Sequence, residues 1–210
     1  AELGLRVGHV GVYCDGPMLM NESKLVCRAL DNRLSGFVLS EIARKLCKLK
    51  KPLAWNVMLV NAVQEEVGCI GAGMITHRLR PDAAICIDVT HATDSPGLDK
   101  GKFGDITLGG GPAVIHGTAN HPNLVARLEI VADKNKIPLQ HEAAGRRTGT
   151  DTDSIYVSRN GVASALVSLP LRYMHSPVET AALTDVENTI KLLLELIKSL
   201  KPEDTFGHKL

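Results

Sequence analysis

The sequence predicts an α/β layered domain with a mixed, largely parallel central sheet flanked by helices. Three observations carry this. Residues 57–63 and 83–89 are short, nearly continuous apolar runs, the pattern of strands buried on both faces. A glycine-rich turn and a helical stretch ending near Arg80-Pro81 lie between them, giving a strand–helix–strand order. Apolar positions also recur every three to four residues in two longer stretches, as on amphipathic helices.

Taken in order, residues 1–20 are apolar fragments broken by glycine and proline and read as strands with turns. In 34–49, Leu34, Phe37, Val38, Ile42, Leu46 and Leu49 form one helical face, and Pro52 follows its end. Residues 94–121 are rich in Gly, Pro, Asp and His and read as a long irregular segment, the kind of loop that often carries function, with one strand at 105–108. A helix is expected at 124–136, and strands at 155–157 and 163–169. Thr184-Asp185-Val186-Glu187 has the form of a capping box opening a last helix, which Pro202 stops.

Composition narrows the function. The 24 basic and 23 acidic residues give a net charge of +1, so nothing in the charge favours nucleic acid or an anionic membrane. Aromatics are 3%, too few for base-stacking or sugar-stacking platforms. The cysteines Cys14, Cys27, Cys47, Cys69 and Cys86 are odd in number and show no C-x-x-C spacing. They read as free thiols in a reducing, cytoplasmic compartment. No signal peptide and no apolar run of membrane-spanning length is present in the sequence.

Chemistry-bearing groups sit at the ends of the predicted buried strands, where open α/β sheets gather their ligands. Glu65 and Glu66 follow the run ending at Val63, Asp88 lies at the end of 83–89, Asp31 precedes the first long helix, and His175 follows the 163–169 strand. Singly, each has a plain reading: a solvated Glu pair, an N-cap, a surface histidine. Asp88 is harder to dismiss, because an aspartate inside a buried strand needs a partner. Together these groups suit divalent cations, since zinc accepts nitrogen and oxygen ligands.

Five strings occur in order: Ala29-Leu30-Asp31-Asn32-Arg33, Val63-Gln64-Glu65-Glu66-Val67-Gly68, Ile87-Asp88-Val89-Thr90, Gly149-Thr150-Asp151 and Arg172-Tyr173-Met174-His175-Ser176-Pro177. Glu66 and Asp88 are 22 residues apart, and Asp88 and His175 are 87 apart. In these strings and spacings the chain resembles the TET-type dinuclear metallo-aminopeptidases, a family that includes glutamyl and leucyl aminopeptidases and whose members are often mislabelled cellulases or endoglucanases. The resemblance implies a three-layer zinc-peptidase-like domain holding two divalent ions, zinc first, with cobalt or manganese also suited. It implies that Asp31 bridges the ions, Glu66 and His175 complete one, Asp88 belongs to the other, and Glu65 is the general base. It implies a substrate-pocket loop at Gly149, Thr150 and Asp151, a cis peptide after Asp31, a peptide substrate, and homo-oligomeric assembly of the full-length protein. At the position after the pocket loop the family often has alanine, and here it is Thr152; Arg146 and Arg147 nearby are as well explained as solvated surface residues.

One departure stands out. The family pattern places a further histidine ligand, and an inserted dimerisation domain, before the bridging aspartate. Here only His9 precedes Asp31, in a context that matches the domain boundary and not the ligand motif. On this reading residues 1–20 are the remnant of the inserted domain and 21–210 the catalytic domain without its N-terminal part. The alternatives are a deacylase or carboxypeptidase on the same fold, and a truncated, non-catalytic metal-binding subunit.

Overall fold

The structure is a computed structural model and describes residues 3–207. The strands β1 (Met18–Met20) and β2 (Lys24–Val26) are followed by α1 (Leu30–Leu46), α2 (Ile70–Leu79), β3 (Ala83–His91) and the short α3 (Lys100–Phe103). Then come β4 (Ala113–Gly117), α4 (Pro122–Asn135), β5 (Gln140–Ala144), α5 (Thr152–Ile155), β6 (Ala163–Arg172), β7 (Thr180–Ala182) and α6 (Leu183–Ser199). No helix among the described residues is long and apolar enough to cross a membrane.

The three layers are present. One face of the sheet is covered by α1, α4 and α6, whose Val38, Ile42, Leu128, Leu192 and Leu193 meet Val114, Val167 and Leu169 of the strands. The other face is covered by α2 and α5, with Ala72 and Ile155 against Cys86, Ile115 and Leu166. The core is aliphatic, as the scarcity of aromatic residues requires. The period-2 alternation of a strand sorts the faces: in β3, Ile85, Ile87 and Val89 face the first layer, whereas Cys86 faces the second.

The sheet corrects the expectation of a largely parallel arrangement. Only β3–β6 and β4–β5 pair in parallel; β1–β2, β2–β7, β6–β7 and β4–β6 are antiparallel. A buried apolar run reads the same in both kinds of ladder, because burial sets composition while pairing direction is set by distant chain. The parallel partner of β3 is β6, some 80 positions onward, and not residues 57–63.

Residues 57–63 form no strand, a second correction. None of them is buried, and Met58, Leu59 and Val63 are 50%, 39% and 66% exposed. A cavity of about 1470 Å³ lies between this segment and β3, walled by α1, α2 and α6. The segment therefore has no ladder within reach to satisfy its backbone, and β3 is an open edge among the described residues.

Other local readings also shift. Residues 105–108 are not a strand, while β4 and β5 arise where none was expected. Residues 155–157 close the short helix α5 and do not form a strand. Of residues 3–20 only β1 is regular; the rest is largely exposed. The capping box does not form: the α6 N-cap is Ala182, with no side-chain cap bond. Fully buried Asp185 instead accepts hydrogen bonds from the Gly109 and Gly111 amides, both at 2.8 Å, and fastens the 105–111 loop to α6. The five cysteines are free as expected, though Cys14 and Cys47 are exposed.

Candidate metal centre

The site forms where the sequence strings meet, beyond the C-terminal ends of β3 and β6. Asp31 lies in the non-helical step that opens α1, and the Asp31–Asn32 peptide is cis, as the resemblance implies. Glu65 and Glu66 lie in the turn before α2, Asp88 is three residues before the end of β3, and His175 is three beyond the end of β6. Non-glycine residues in the left-handed region flank Asp31, the Glu65-Glu66 pair and His175: Ala29, Gln64, Cys69, Tyr173 and His175 itself have φ between 55° and 62°. Such residues are uncommon and gather at functional sites, where surrounding contacts hold them.

Asp31, Glu66 and His175 converge, with one donor atom from each inside a 4.8 Å span. His175 Nε2 is 3.0 Å from Asp31 Oδ2 and 3.6 Å from Glu66 Oε2. Asp88 stands beside them on a different tether: its Oδ1 accepts from Asn32 Nδ2 at 2.7 Å and from the Val89 amide at 2.9 Å. Asn32 Nδ2 also reaches the Ile87 carbonyl at 3.1 Å, so the residue after Asp31 locks α1 onto β3. Glu65 is half-buried, and the Cys69 thiol donates to its Oε1 at 3.7 Å.

The electrostatics are those of crowded, desolvated carboxylates. Burial pushes Asp88 up to about 8, with the charges of Asp31, Glu65 and Asp151 adding to it. Burial likewise raises Asp31, with Glu66 adding and His175 opposing. Glu65 is raised by burial and then by Glu66, Asp151 and Asp31, and Asp151 by burial. Asp151 Oδ1 is buried without a hydrogen-bond partner. Mutually repelling carboxylates, one orphaned oxygen and an imidazole form a donor set that fits divalent cations of the zinc, cobalt or manganese kind.

This crowding has a consequence for the metal-free chain. The folded-state value of Asp88 lies above the unfolded one, so its contribution favours folding below about pH 4 and is lost as pH rises to about 8. Thermal melting of metal-free protein is expected to fall across that window by the equivalent of a few kcal/mol, and Asp88→Asn to flatten the fall. A profile unchanged by Asp88→Asn would contradict this.

The 149–153 loop closes the site on one side. Asp153 accepts from the amides of Thr148 and Gly149 and from the Thr148 hydroxyl, and Thr150 and Thr152 are buried. Asp151 thus joins the carboxylate cluster, while Gly149 is exposed. Arg146 and Arg147 are exposed, and His9 is exposed and belongs to neither of the potential metal-binding groups among the described residues.

The sequence reading missed Glu179. It is 2% exposed; its Oε2 accepts the Asp31 amide at 3.1 Å and its Oε1 the His175 amide at 2.7 Å. One buried carboxylate thereby clamps the backbones of two candidate ligands that are 144 residues apart in sequence. Only its place two residues beyond the Arg172–Pro177 string hinted at this.

Gly71 positions the glutamates. Its amide donates to the Val63 carbonyl at 3.0 Å, and a Cβ there would lie 2.4 Å from that oxygen. Gly71→Ala therefore must push the 63–69 turn away. Expected is a loss of thermal stability together with at least tenfold weaker metal binding, by melting and metal titration; unchanged affinity would count against this role.

Fold and site define a class: α/β domains that collect carboxylates and a histidine at strand ends, able to hold divalent cations. Within that class, the profile of the M42 glutamyl aminopeptidase family matches residues 1–192, and the chain belongs to this family. It is 38% identical over 203 residues to a lysyl aminopeptidase of Pyrococcus furiosus, covering 97% of this chain and 57% of that protein. An aminopeptidase structure from Desulfurococcus kamchatkensis superposes with a TM-score of 0.87 at 32% identity, covering 96% of this chain and 56% of that one. A Pyrococcus horikoshii TET1 peptidase, which can assemble into a tetrahedron or a large octahedral shell, gives a TM-score of 0.71 at 26% identity, covering 90% and 54%. The chain thus spans a little over half the length of these relatives.

Proposed function

We propose that the intact protein is a metal-dependent aminopeptidase that removes residues from the N-termini of peptides. The observation that carries this is the convergence of Asp31, Glu66 and His175 beside the buried, high-pKa Asp88. In this reading Asp31, Glu66 and His175 would hold one divalent ion, and Asp31 with Asp88 would hold a second. When bound, the ions lower the pKa of water and polarise the scissile carbonyl. Glu65 acts as the general base. Its carboxylate, raised by burial and neighbouring charge, takes a proton at Oε from the attacking water and returns it to the leaving amine. Adjacent residues on a turn point in different directions, so Glu66 can bind a cation while Glu65 addresses the water. The Cys69 thiol, pushed up to about 12, remains a proton donor that orients Glu65.

Gly149, Thr150 and Asp151 line the substrate side, with the acidic Asp151 suited to the free α-amino group of a peptide. Among the described residues Asp31 is the other carboxylate assigned to the set around Asp88, and with two protein ligands that ion would bind more weakly than the one held by Asp31, Glu66 and His175. Residues 1–20 belong to the boundary of an inserted domain in this reading, and the full-length protein works as a cytoplasmic homo-oligomer.

The test compares aminoacyl chromogenic substrates with free and with acetylated amino groups. Expected is hydrolysis of the free form alone, lost to a chelator and restored by zinc, cobalt or manganese. Chelator-insensitive turnover, or equal cleavage of blocked substrates, would overturn the proposal; a requirement for a free substrate carboxylate would point to a carboxypeptidase.

A further inference from the structure

We propose that His116, Glu129 and His141 form a second, separate site for a late first-row divalent ion such as Zn²⁺, independent of the centre described above. The three come from three different elements. Parallel register sets Val114 opposite His141 and His116 opposite Ala143, so His116 and His141 share one face of the β4–β5 pair. Buried Val114 on that face packs in the core cluster with Leu124, Val125 and Leu128 of α4, so α4 covers the same face. Glu129 follows Leu128 and lies one turn beyond Val125, which brings it to the edge where the histidines end.

The donor geometry fits a metal. His116 Nε2 and His141 Nδ1 are 3.0 Å apart, and Glu129 Oε1 is 3.7 Å from the first and 3.6 Å from the second. Three ligands at zinc distances on a tetrahedron have donors about 3.3 Å apart. The observed triangle brackets that value, so small side-chain rotations seat an ion. The rings are stacked, with planes 27° apart, and their Nε2 and Nδ1 atoms share a hydrogen bond that a bound ion would replace.

The framework is rigid. Gly117 ends β4 with φ 141°, and a Cβ there would meet the Ala144 carbonyl at 1.9 Å; its absence lets β4 and β5 close. Thr118 Oγ1 adds a bond to the Gly145 carbonyl at 2.9 Å. The ligands therefore sit on paired strands and a helix, a better platform than loops. A cavity of about 320 Å³ beside Glu129 and His116, bounded by Pro122, Val125 and Ala126, leaves the fourth position open to water or a small ligand. Two imidazoles and one carboxylate prefer zinc, nickel or copper over magnesium or calcium. Because β5 is the sheet edge, the ion would tie this edge to β4 and α4.

The test uses the whole chain carrying Asp31→Ala and His175→Ala, which removes the first centre. Zinc titration against a chromophoric chelator is expected to find one remaining ion. Adding His141→Leu should abolish it, and adding Glu129→Gln instead should weaken it at least tenfold. Copper in the same background should give an electron paramagnetic resonance spectrum with two nitrogen ligands. In the intact protein, His141→Leu alone should leave peptide hydrolysis unchanged, so failure here is distinct from failure of the aminopeptidase reading. Absence of the remaining ion, or binding indifferent to both His141→Leu and Glu129→Gln, would overturn the proposal.

Discussion

Replacing Glu65 with Gln in the intact protein is expected to lower kcat by about 10²–10⁴-fold, the range for losing a positioned general base. Metal content should stay the same. The separation follows from placement. Glu65 is half-buried and bonded to the Cys69 thiol, whereas Glu66 is exposed and 3.6 Å from His175. Gln is isosteric and still accepts from the thiol, so the turn should hold while the basic oxygen is lost. Steady-state kinetics and metal analysis on the same preparation check this. Retained turnover would remove Glu65 from the mechanism; lost metal would mean that Glu65 is a ligand.

Replacing Glu179 with Ala is expected to cost stability and metal affinity together. The carboxylate is buried and accepts two backbone amides. Hydrogen bonds to charged groups contribute about 1.5–3 kcal/mol each, and an orphaned amide adds a desolvation penalty. A loss of roughly 3–5 kcal/mol lowers the melting temperature of a chain this size by about 2–4 °C per kcal/mol. Groups that orient metal ligands commonly change affinity about 10–100-fold. Glu179→Gln keeps one acceptor oxygen and should recover part of both effects. Full metal affinity in a folded Glu179→Ala protein would show that the clamp is structural only.

The parts of the site that were legible in sequence are those whose chemistry is local. Glu65-Glu66 between an apolar run and a glycine turn, and Asp88 inside a buried strand, stand out because a charge there contradicts its surroundings. Glu179 gave no such signal. It is an ordinary acid after Pro177-Val178, and its value comes from two amides brought to it by different strings. The same holds for His116, Glu129 and His141, which lie in segments read as an irregular loop, a helix and the chain beyond it. Strands β4 and β5 were hidden because histidine, glycine and glutamine dilute a five-residue apolar pattern. The 184–187 box failed because Asp185 found a better use than capping: two loop amides inside the core.

Local sequence was enough to specify the four longer helices, the two-faced burial of β3, a strand at β6, and the residue types available for cation and proton chemistry. Periodicity and composition are properties of neighbouring residues, and they survive without a partner. Only the tertiary structure decided which strands pair and in what direction. It left residues 57–63 without a ladder, set Glu179 under Asp31 and His175, and drew two histidines and a glutamate to one edge. These are long-range choices. They depend on which distant groups can satisfy a buried backbone or charge, and no local window contains that information.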